Sequence, residues 1–310
     1  MKRCVIICNP NSGKKKNIKI KDKFNEILKD YDYSLEFKFT KYSGHAKEII
    51  SKLDDNVDLV ISIGGDGTFN EIMTGNLKRK KRLLLSHIPY GTANDLGAMY
   101  GMVKDPIQNL KMILGGKEKG VDICKINNQP FVYVAGLGKF VNVAYDTPRN
   151  LKKKIGYFAY IINAIKSFNS KTQLFELEYK CNGEVRKGLY SFILICNATR
   201  MGGINMFQDV KLDDNQFEVL LTNITSKKDI IKSLYFITKE DDISKVPGFY
   251  YLKTNHLTLK LKDYPKKDWC IDGEKFKNKT KTFDITIERD VKMLLPRKEL
   301  YKIFKDEEIK

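Results

Sequence analysis

The chain has 310 residues, 42% hydrophobic and 11% aromatic, enough to bury the cores of two domains of ordinary size. Its formal net charge of +18 favours anionic partners such as a nucleotide, nucleic acid or an acidic membrane face, although lysine richness throughout the chain gives the same excess. No run of about 18 apolar residues occurs, so no transmembrane helix is predicted; the dispersed Cys4, Cys8, Cys124, Cys181, Cys196 and Cys270 lack metal or disulfide spacing and read as buried reduced thiols of a cytosolic protein.

Met1-Lys2-Arg3 and the apolar Cys4–Cys8 open like a signal peptide. The apolar run is short, however, and stops at Asn9-Pro10, so it reads as a first strand. Further strands are predicted at Leu35–Thr40, Leu59–Ile63 and Leu83–Ile88, with helices at Lys19–Lys29, His45–Leu53 and Thr68–Leu77. This alternation predicts a parallel sheet with helices on both faces. Asp105 is a candidate N-cap for another helix, with Pro106 at its first position.

From Gly120 the pattern changes. Asn127-Asn128 separates Val121–Ile126 from Phe131–Ala135 like a hairpin, and Asn182-Gly183 separates Leu174–Cys181 from Leu189–Cys196. Phe217–Thr222, Leu257–Leu261 and Phe283–Ile287 add strands to what reads as an antiparallel β-sandwich. Ile155, Phe158, Ile162 and Ile165 form a helical stripe, and Ser226-x-x-Asp229 marks a helix start. The boundary is expected near Lys119–Asp122, giving domains at residues 1–121 and 122–290.

Two segments carry most of the chemistry. Gly64-Gly65-Asp66-Gly67-Thr68-Phe69-Asn70-Glu71 and Pro89-Tyr90-Gly91-Thr92-Ala93-Asn94-Asp95 each follow an apolar run and open a helix-like stretch. Glycines there let the backbone approach a polyphosphate, and free N–H groups at a helix start can hold phosphate oxygens. Asp66 offers a carboxylate to a metal or its water. Thr92 and Asn94 can bond to phosphate or a base edge, or cap the following helix. Glu71 also suits the helix N-terminus. Together these turns point to a nucleotide-using phosphotransferase, since phosphoryl transfer needs positioning and charge neutralisation. Asn9-Pro10-Asn11-Ser12-Gly13-Lys14 fails as a Walker phosphate loop because Cys8 stands where the first glycine belongs. Gly136-Leu137-Gly138 fails as a dinucleotide fingerprint, with Val141 in the third glycine position. By itself, Asp272-Gly273-Glu274 reads as an Asp-Gly hairpin turn.

Taken together, Asn9-Pro10-Asn11-Ser12-Gly13, the Gly-Gly-Asp-Gly-Thr segment with Glu71, Pro89–Asp95 and Asp272-Gly273-Glu274 closely resemble the motifs of the diacylglycerol kinase catalytic-domain family, in its bacterial soluble branch. Their order spans nearly the whole chain. The resemblance implies an NAD kinase/diacylglycerol kinase-like α/β domain at 1–121, with 291–310 returning to pack on it. A mainly antiparallel β-sandwich domain for the lipid follows at 122–290. ATP and Mg²⁺ are implied in the interdomain cleft. The implied nucleotide contacts are Asn9, Pro10, Asn11, Ser12, Gly13, Thr40, Gly64, Gly65, Asp66, Gly67, Thr68, Asn70, Glu71, Gly91, Thr92 and Asn94.

The implied catalytic residues are Asp66, with Glu274 or Asp272 as the base that takes the proton of the lipid hydroxyl. A structural Mg²⁺ loop is implied at Lys211, Asp214 and Gln216, with Asn215 in place of the family's glycine. Ile204 after Gly202-Gly203, and Lys139 after Gly138, depart from the family pattern around the lipid. The implied activity is ATP-dependent phosphorylation of diacylglycerol to phosphatidic acid, by a cytoplasmic protein docking peripherally on an anionic membrane surface, in phospholipid biosynthesis, with a homodimer an open option. Other acceptors are a sphingoid base, another lipid alcohol or NAD. A non-catalytic nucleotide- or nucleic-acid-binding protein is the third option, though no nucleic-acid module is visible. Lys152, Lys153 and Lys154, ahead of an apolar-aromatic helix, are the expected membrane contacts.

Overall fold

The computed structural model describes residues 1–12, 18–91, 94–138, 174–201, 204, 205, 207, 209–226, 228, 229, 232, 233, 236, 245–265, 268–277 and 280–307. The predicted helix around Ile155–Ile165, the lysines at 152–154, Gly13, Thr92, Lys139 and Gly202-Gly203 lie outside these. The chain forms two compact units, Met1–Asp122 with Arg289–Lys310, and Ile123–Glu288.

In the first unit, β1 (Lys2–Cys8), β2 (Tyr33–Phe39), β3 (Leu59–Gly64) and β4 (Leu85–Pro89) pair in parallel in the order β2-β1-β3-β4. The helices are α1 (Ile18–Asp30), α2 (His45–Ser51), α3 (Asp66–Leu77), α4 (Asp95–Met99) and α5 (Pro106–Leu114). Cys4, Ile6, Cys8, Leu59, Ile61, Ile63 and Ile88 pack with Phe24 and Leu28 of α1 and Leu110 and Ile113 of α5. The alternate residues face the other way, where Phe69 of α3 lies against His87 of β4, ring centroids 5.0 Å apart. Coverage on both faces explains why β3 is buried along its whole length and reads as a continuous apolar run. The Asp105 side chain accepts a hydrogen bond from the Ile107 N–H at 2.9 Å and caps α5, with Pro106 next.

The second unit begins within β5 (Lys117–Ile126), which turns through Asn127 and Asn128, both left-handed, into β6 (Gln129–Phe131). Then come β7 (Val134–Gly138), β8 (Phe175–Cys181), β9 (Glu184–Tyr190), β10 (Phe192–Cys196) and the two-residue pair β11 (Arg200–Met201) and β12 (Ile204–Asn205). β13 (Phe217–Thr222), β14 (Phe249–Thr254), β15 (Leu257–Leu261), β16 (Trp269–Ile271), β17 (Glu274–Phe276) and the long β18 (Thr282–Leu295) follow. One antiparallel sheet has the order β14-β13-β10-β7-β16-β17. In the other, the first half of β18 pairs β15, which pairs β8, which pairs β9. Phe217, Val219 and Leu221 meet Leu177, Tyr179, Leu257, Leu259, Phe283 and Ile285 in a shared core. This is the predicted sandwich. The later part of β18 belongs to the first unit, where Met293 pairs Leu85.

Two predicted strands are divided differently. The Asn182-Gly183 turn returns at once through β9, with Cys181 opposite Glu184, rather than through Leu189–Cys196. Glu184, Arg186 and Lys187 hid this strand from an apolar-run search because it is an exposed edge. The predicted run joined the end of that edge to the wholly buried β10. Similarly, Phe131–Ala135 is broken between β6 and β7. Ser226 does start a helical turn, its hydroxyl accepting from the Asp229 N–H at 3.1 Å. Among the described residues no helix is long and apolar enough to cross a membrane.

Candidate active site

The loops after β2, β1, β3 and β4 leave the same, carboxyl end of a parallel sheet, where open α/β sheets bind ligands. Gly64 ends β3, Gly65 is the extended N-cap of α3 and Asp66 is its first residue. Gly64 pairs with Pro89, and the Tyr90 N–H donates to the Gly64 carbonyl at 2.6 Å, so the two glycine turns lie side by side. A Cβ on Gly91 would stand 2.6 Å from the Gly65 Cα, and one on Gly64 2.7 Å from the Thr68 hydroxyl. Only glycine permits either approach.

Polar side chains tie these turns together. Asn94, left-handed at φ 56°, folds back on Gly91: its Oδ1 accepts from the Gly91 N–H at 2.7 Å and its Nδ2 donates to the Gly91 carbonyl at 3.1 Å. The Asp66 Oδ2 accepts from the Asp95 N–H at 3.3 Å, so the first turn's acid holds the helix started by the second. Both acids are buried, Asp66 at 8% and Asp95 at 2% exposure. Asp95 was not among the residues expected in the site. It closes the Pro89–Asp95 motif, and its link to Asp66 is made by tertiary structure.

After β1, the Asn9 N–H donates to Ile63 O at 3.0 Å, and its Oδ1 accepts from the Asn11 N–H at 3.0 Å. Its Nδ2 reaches the Thr68 hydroxyl at 3.3 Å, placing the exposed Pro10 and Asn11 and the half-buried Ser12 beside the first turn of α3. Thr40, after β2, is 7% exposed and donates its N–H to Cys8 O at 2.9 Å. Gly67 lies in the first turn of α3, and Asn70 accepts from the Thr74 hydroxyl at 3.4 Å. Glu71 turns away toward α2 and accepts from the N–H groups of Gly44 at 2.7 Å and Ala46 at 3.1 Å.

In the second unit, Asp272 and Gly273 form a two-residue hairpin turn at φ 46° and 88°, with Ile271 opposite Glu274. The Asp272 carboxylate, 5% exposed, accepts three backbone hydrogen bonds, from Val132 at 2.7 Å, Tyr133 at 3.1 Å and Val134 at 2.9 Å. These consume the N–H groups at the break between β6 and β7. Glu274, next in the chain, is exposed. In the Lys211–Gln216 loop, Asn215 takes the left-handed conformation at φ 59° that glycine usually supplies, and Asp214 accepts from the Gln216 N–H at 2.9 Å. Among the described residues no group of three or more His, Cys, Asp and Glu is set to hold a metal. The Asp214 carboxylate offers this loop a hard oxygen, of the kind Mg²⁺ prefers. Close by, burial pushes Glu218 up to about 8, opposed by Lys253 at 3.6 Å and reinforced by Asp214.

Residues 3–126 match the family model described as diacylglycerol kinase catalytic domain. A diacylglycerol kinase of Staphylococcus epidermidis is 28% identical over 306 residues, covering 96% of this chain and 93% of the relative. One from Staphylococcus aureus strain MRSA252 is 29% identical over 305 residues, covering 95% and 93%. The crystal structure of a diacylglycerol kinase from Bacillus anthracis str. Sterne superposes with a TM-score of 0.77 at 23% identity, over 95% of this chain and 97% of that one. A second crystal structure from that strain gives 0.81 at the same identity and coverage. At that identity the structural likeness carries the fold alone. The chain thus resembles the diacylglycerol kinase catalytic-domain family, as its motifs indicate.

Proposed function

We propose, from that family resemblance, that this chain is a lipid kinase transferring the γ-phosphate of ATP to the hydroxyl of diacylglycerol, with phosphatidic acid as product. The observation that carries the reading is the contact of the two glycine turns at the ends of β3 and β4, joined by the Asp66 carboxylate. α3 starts at Asp66 directly after the extended Gly65, and the positive end of a helix dipole at such a start favours phosphate oxygens. Asp66 would hold Mg²⁺ or its water, and Asn9–Ser12, Thr40 and Gly91 would frame the phosphates. Bound Mg²⁺ would neutralise the charge that develops on the transferring phosphoryl group.

The acceptor hydroxyl must lose its proton as its oxygen attacks phosphorus. Glu274 is the acid we assign to take it. The three N–H bonds to Asp272 support a positioning role for that residue: it fixes the turn from which Glu274 projects. Lys211, Asp214 and Gln216 would form the structural Mg²⁺ loop. The lipid would be met at an anionic membrane surface from the cytoplasmic side, through peripheral docking.

The test is transfer of labelled phosphate from ATP across an acceptor panel. Label in phosphatidic acid, dependent on added diacylglycerol, is the expected result. Label in a sphingoid base or NAD instead would move the acceptor and keep the chemistry. No transfer to any alcohol would overturn the proposal.

A further inference from the structure

We propose that Glu71 is a positioning residue that acts with Gly75 to hold α2, and with it the Thr40–Gly44 segment, in register with the Asp66 turn. This rests on the nucleotide reading of that turn. It departs from the expectation that Glu71 touches the nucleotide.

α2 cannot cap itself. Its N-cap is Gly44, left-handed at φ 89° and without a side chain to offer. The Glu71 carboxylate supplies both missing acceptors, one oxygen for the Gly44 N–H at 2.7 Å and the other for the Ala46 N–H at 3.1 Å. Hydrogen bonds to an ionised acceptor are about twice as strong as neutral ones, and a two-point grip also fixes orientation. Gly75 lies four residues further along α3 and so on the same face. A Cβ there would stand 2.4 Å from Ile50 Cγ2 and 2.7 Å from the Lys47 carbonyl. Glycine therefore lets α2 press directly on α3.

The segment ahead of α2 is closed on itself, which carries the grip back to Thr40. The His45 Nδ1 accepts from the Lys41 N–H at 3.0 Å, the His45 N–H donates to Tyr42 O at 3.2 Å, and the Tyr42 and His45 rings stack at 4.6 Å. Thr40 itself is anchored to β1 through Cys8 O. One helix, α3, thus carries Asp66 at its start and the clamp for the Thr40 segment one turn later. The two sets of proposed phosphate contacts are spaced by a rigid element.

The experiment measures nucleotide affinity by direct titration with ATP, so it does not depend on which alcohol is phosphorylated. Glu71→Ala and Gly75→Ala should each weaken ATP binding roughly tenfold or more, as sub-ångström misplacement does, while kcat at saturating ATP changes little. Glu71→Gln, which keeps one carbonyl acceptor, should fall between. Amide exchange at Gly44 and Ala46 should accelerate in Glu71→Ala while that of α3 does not, which also shows that the variant folds. Thr40→Ala should weaken binding in the wild type and add nothing in the Glu71→Ala background. Additive losses, unchanged ATP affinity in Glu71→Ala, or a fall in kcat without a change in affinity would each overturn the proposal. If wild-type protein bound ATP but phosphorylated no lipid, the acceptor assignment would fail and this inference would stand. If it bound no ATP, both would fail.

Discussion

His87 lies on β4 with no exposed surface, and burial pushes its imidazole down to about 3 from the ordinary 6.5. A base held neutral in the fold binds fewer protons than the same group in the unfolded chain. Stability is therefore lost as pH falls from 6.5 toward 3, at about 1.4 kcal/mol per pH unit. His87→Phe should remove most of that slope, visible in denaturant midpoints at pH 7 and pH 4.5. Identical acid sensitivity in both proteins would assign the loss to other groups. Asp66→Asn keeps an oxygen for the Asp95 N–H and removes only charge, so turnover should fall at least about a hundredfold with the fold intact. Near-normal turnover would remove Asp66 from the phosphotransfer machinery. The neighbouring acids of the hairpin should separate cleanly. Asp272→Asn should destabilise by about 1–3 kcal/mol, because three N–H groups lose a charged acceptor. Glu274→Gln should leave the melting temperature alone and lower turnover. The motif residues were legible because glycine and acid requirements are written locally. That Asp272 serves Val132–Val134, some 140 positions earlier, and that Glu71 serves α2, were not, since neither partner is a sequence neighbour.

At the scale of elements, what was legible follows the same division. The Asn127-Asn128 and Asn182-Gly183 turns were found because left-handed residues are a local requirement. The parallel strands were found because burial on both faces leaves unbroken apolar runs. β9 was missed because an edge strand is allowed to be polar, and Ser191, the corner into β10, carries no turn signature. The C-terminal end of α2 shows a further dependence on distant chain. Arg79, its side chain only 5% exposed, donates to Ile50 O at 2.8 Å and Leu53 O at 2.7 Å while pairing with Asp55 at 2.5 Å. Arg79→Ala should cost about 3 kcal/mol, because a carbonyl in the last turn of α2 and one just past its end lose a charged donor. Equilibrium urea unfolding measures it, and a loss below about 0.5 kcal/mol would show that water replaces the guanidinium.

For the molecule as a whole, the proposed bilayer-borne acceptor would require reversible surface docking, which the +18 charge favours. Binding to anionic vesicles should rise with anionic lipid and fall with salt, as each basic residue at the surface adds roughly 1 kcal/mol. Replacing Lys152, Lys153 and Lys154 by Gln should weaken sedimentation with vesicles and leave ATP affinity alone. Binding indifferent to salt and to that replacement would exclude this docking surface. The buried thiols give the fold a different use. Cys4 and Cys8 belong to the first unit; Cys124, Cys181, Cys196 and Cys270 belong to the second. Burial pushes Cys4 up to about 12 and Cys8 to about 11, and raises Cys196 strongly, so none of these three is a ready thiolate while the fold is closed. Alkylation then clocks opening events, and pulse labelling read by mass spectrometry reports the breathing of each unit separately, without an introduced probe. If the two units unfold as independent cooperative blocks, their cysteines will be modified in two kinetic groups; if the chain opens all at once, in one.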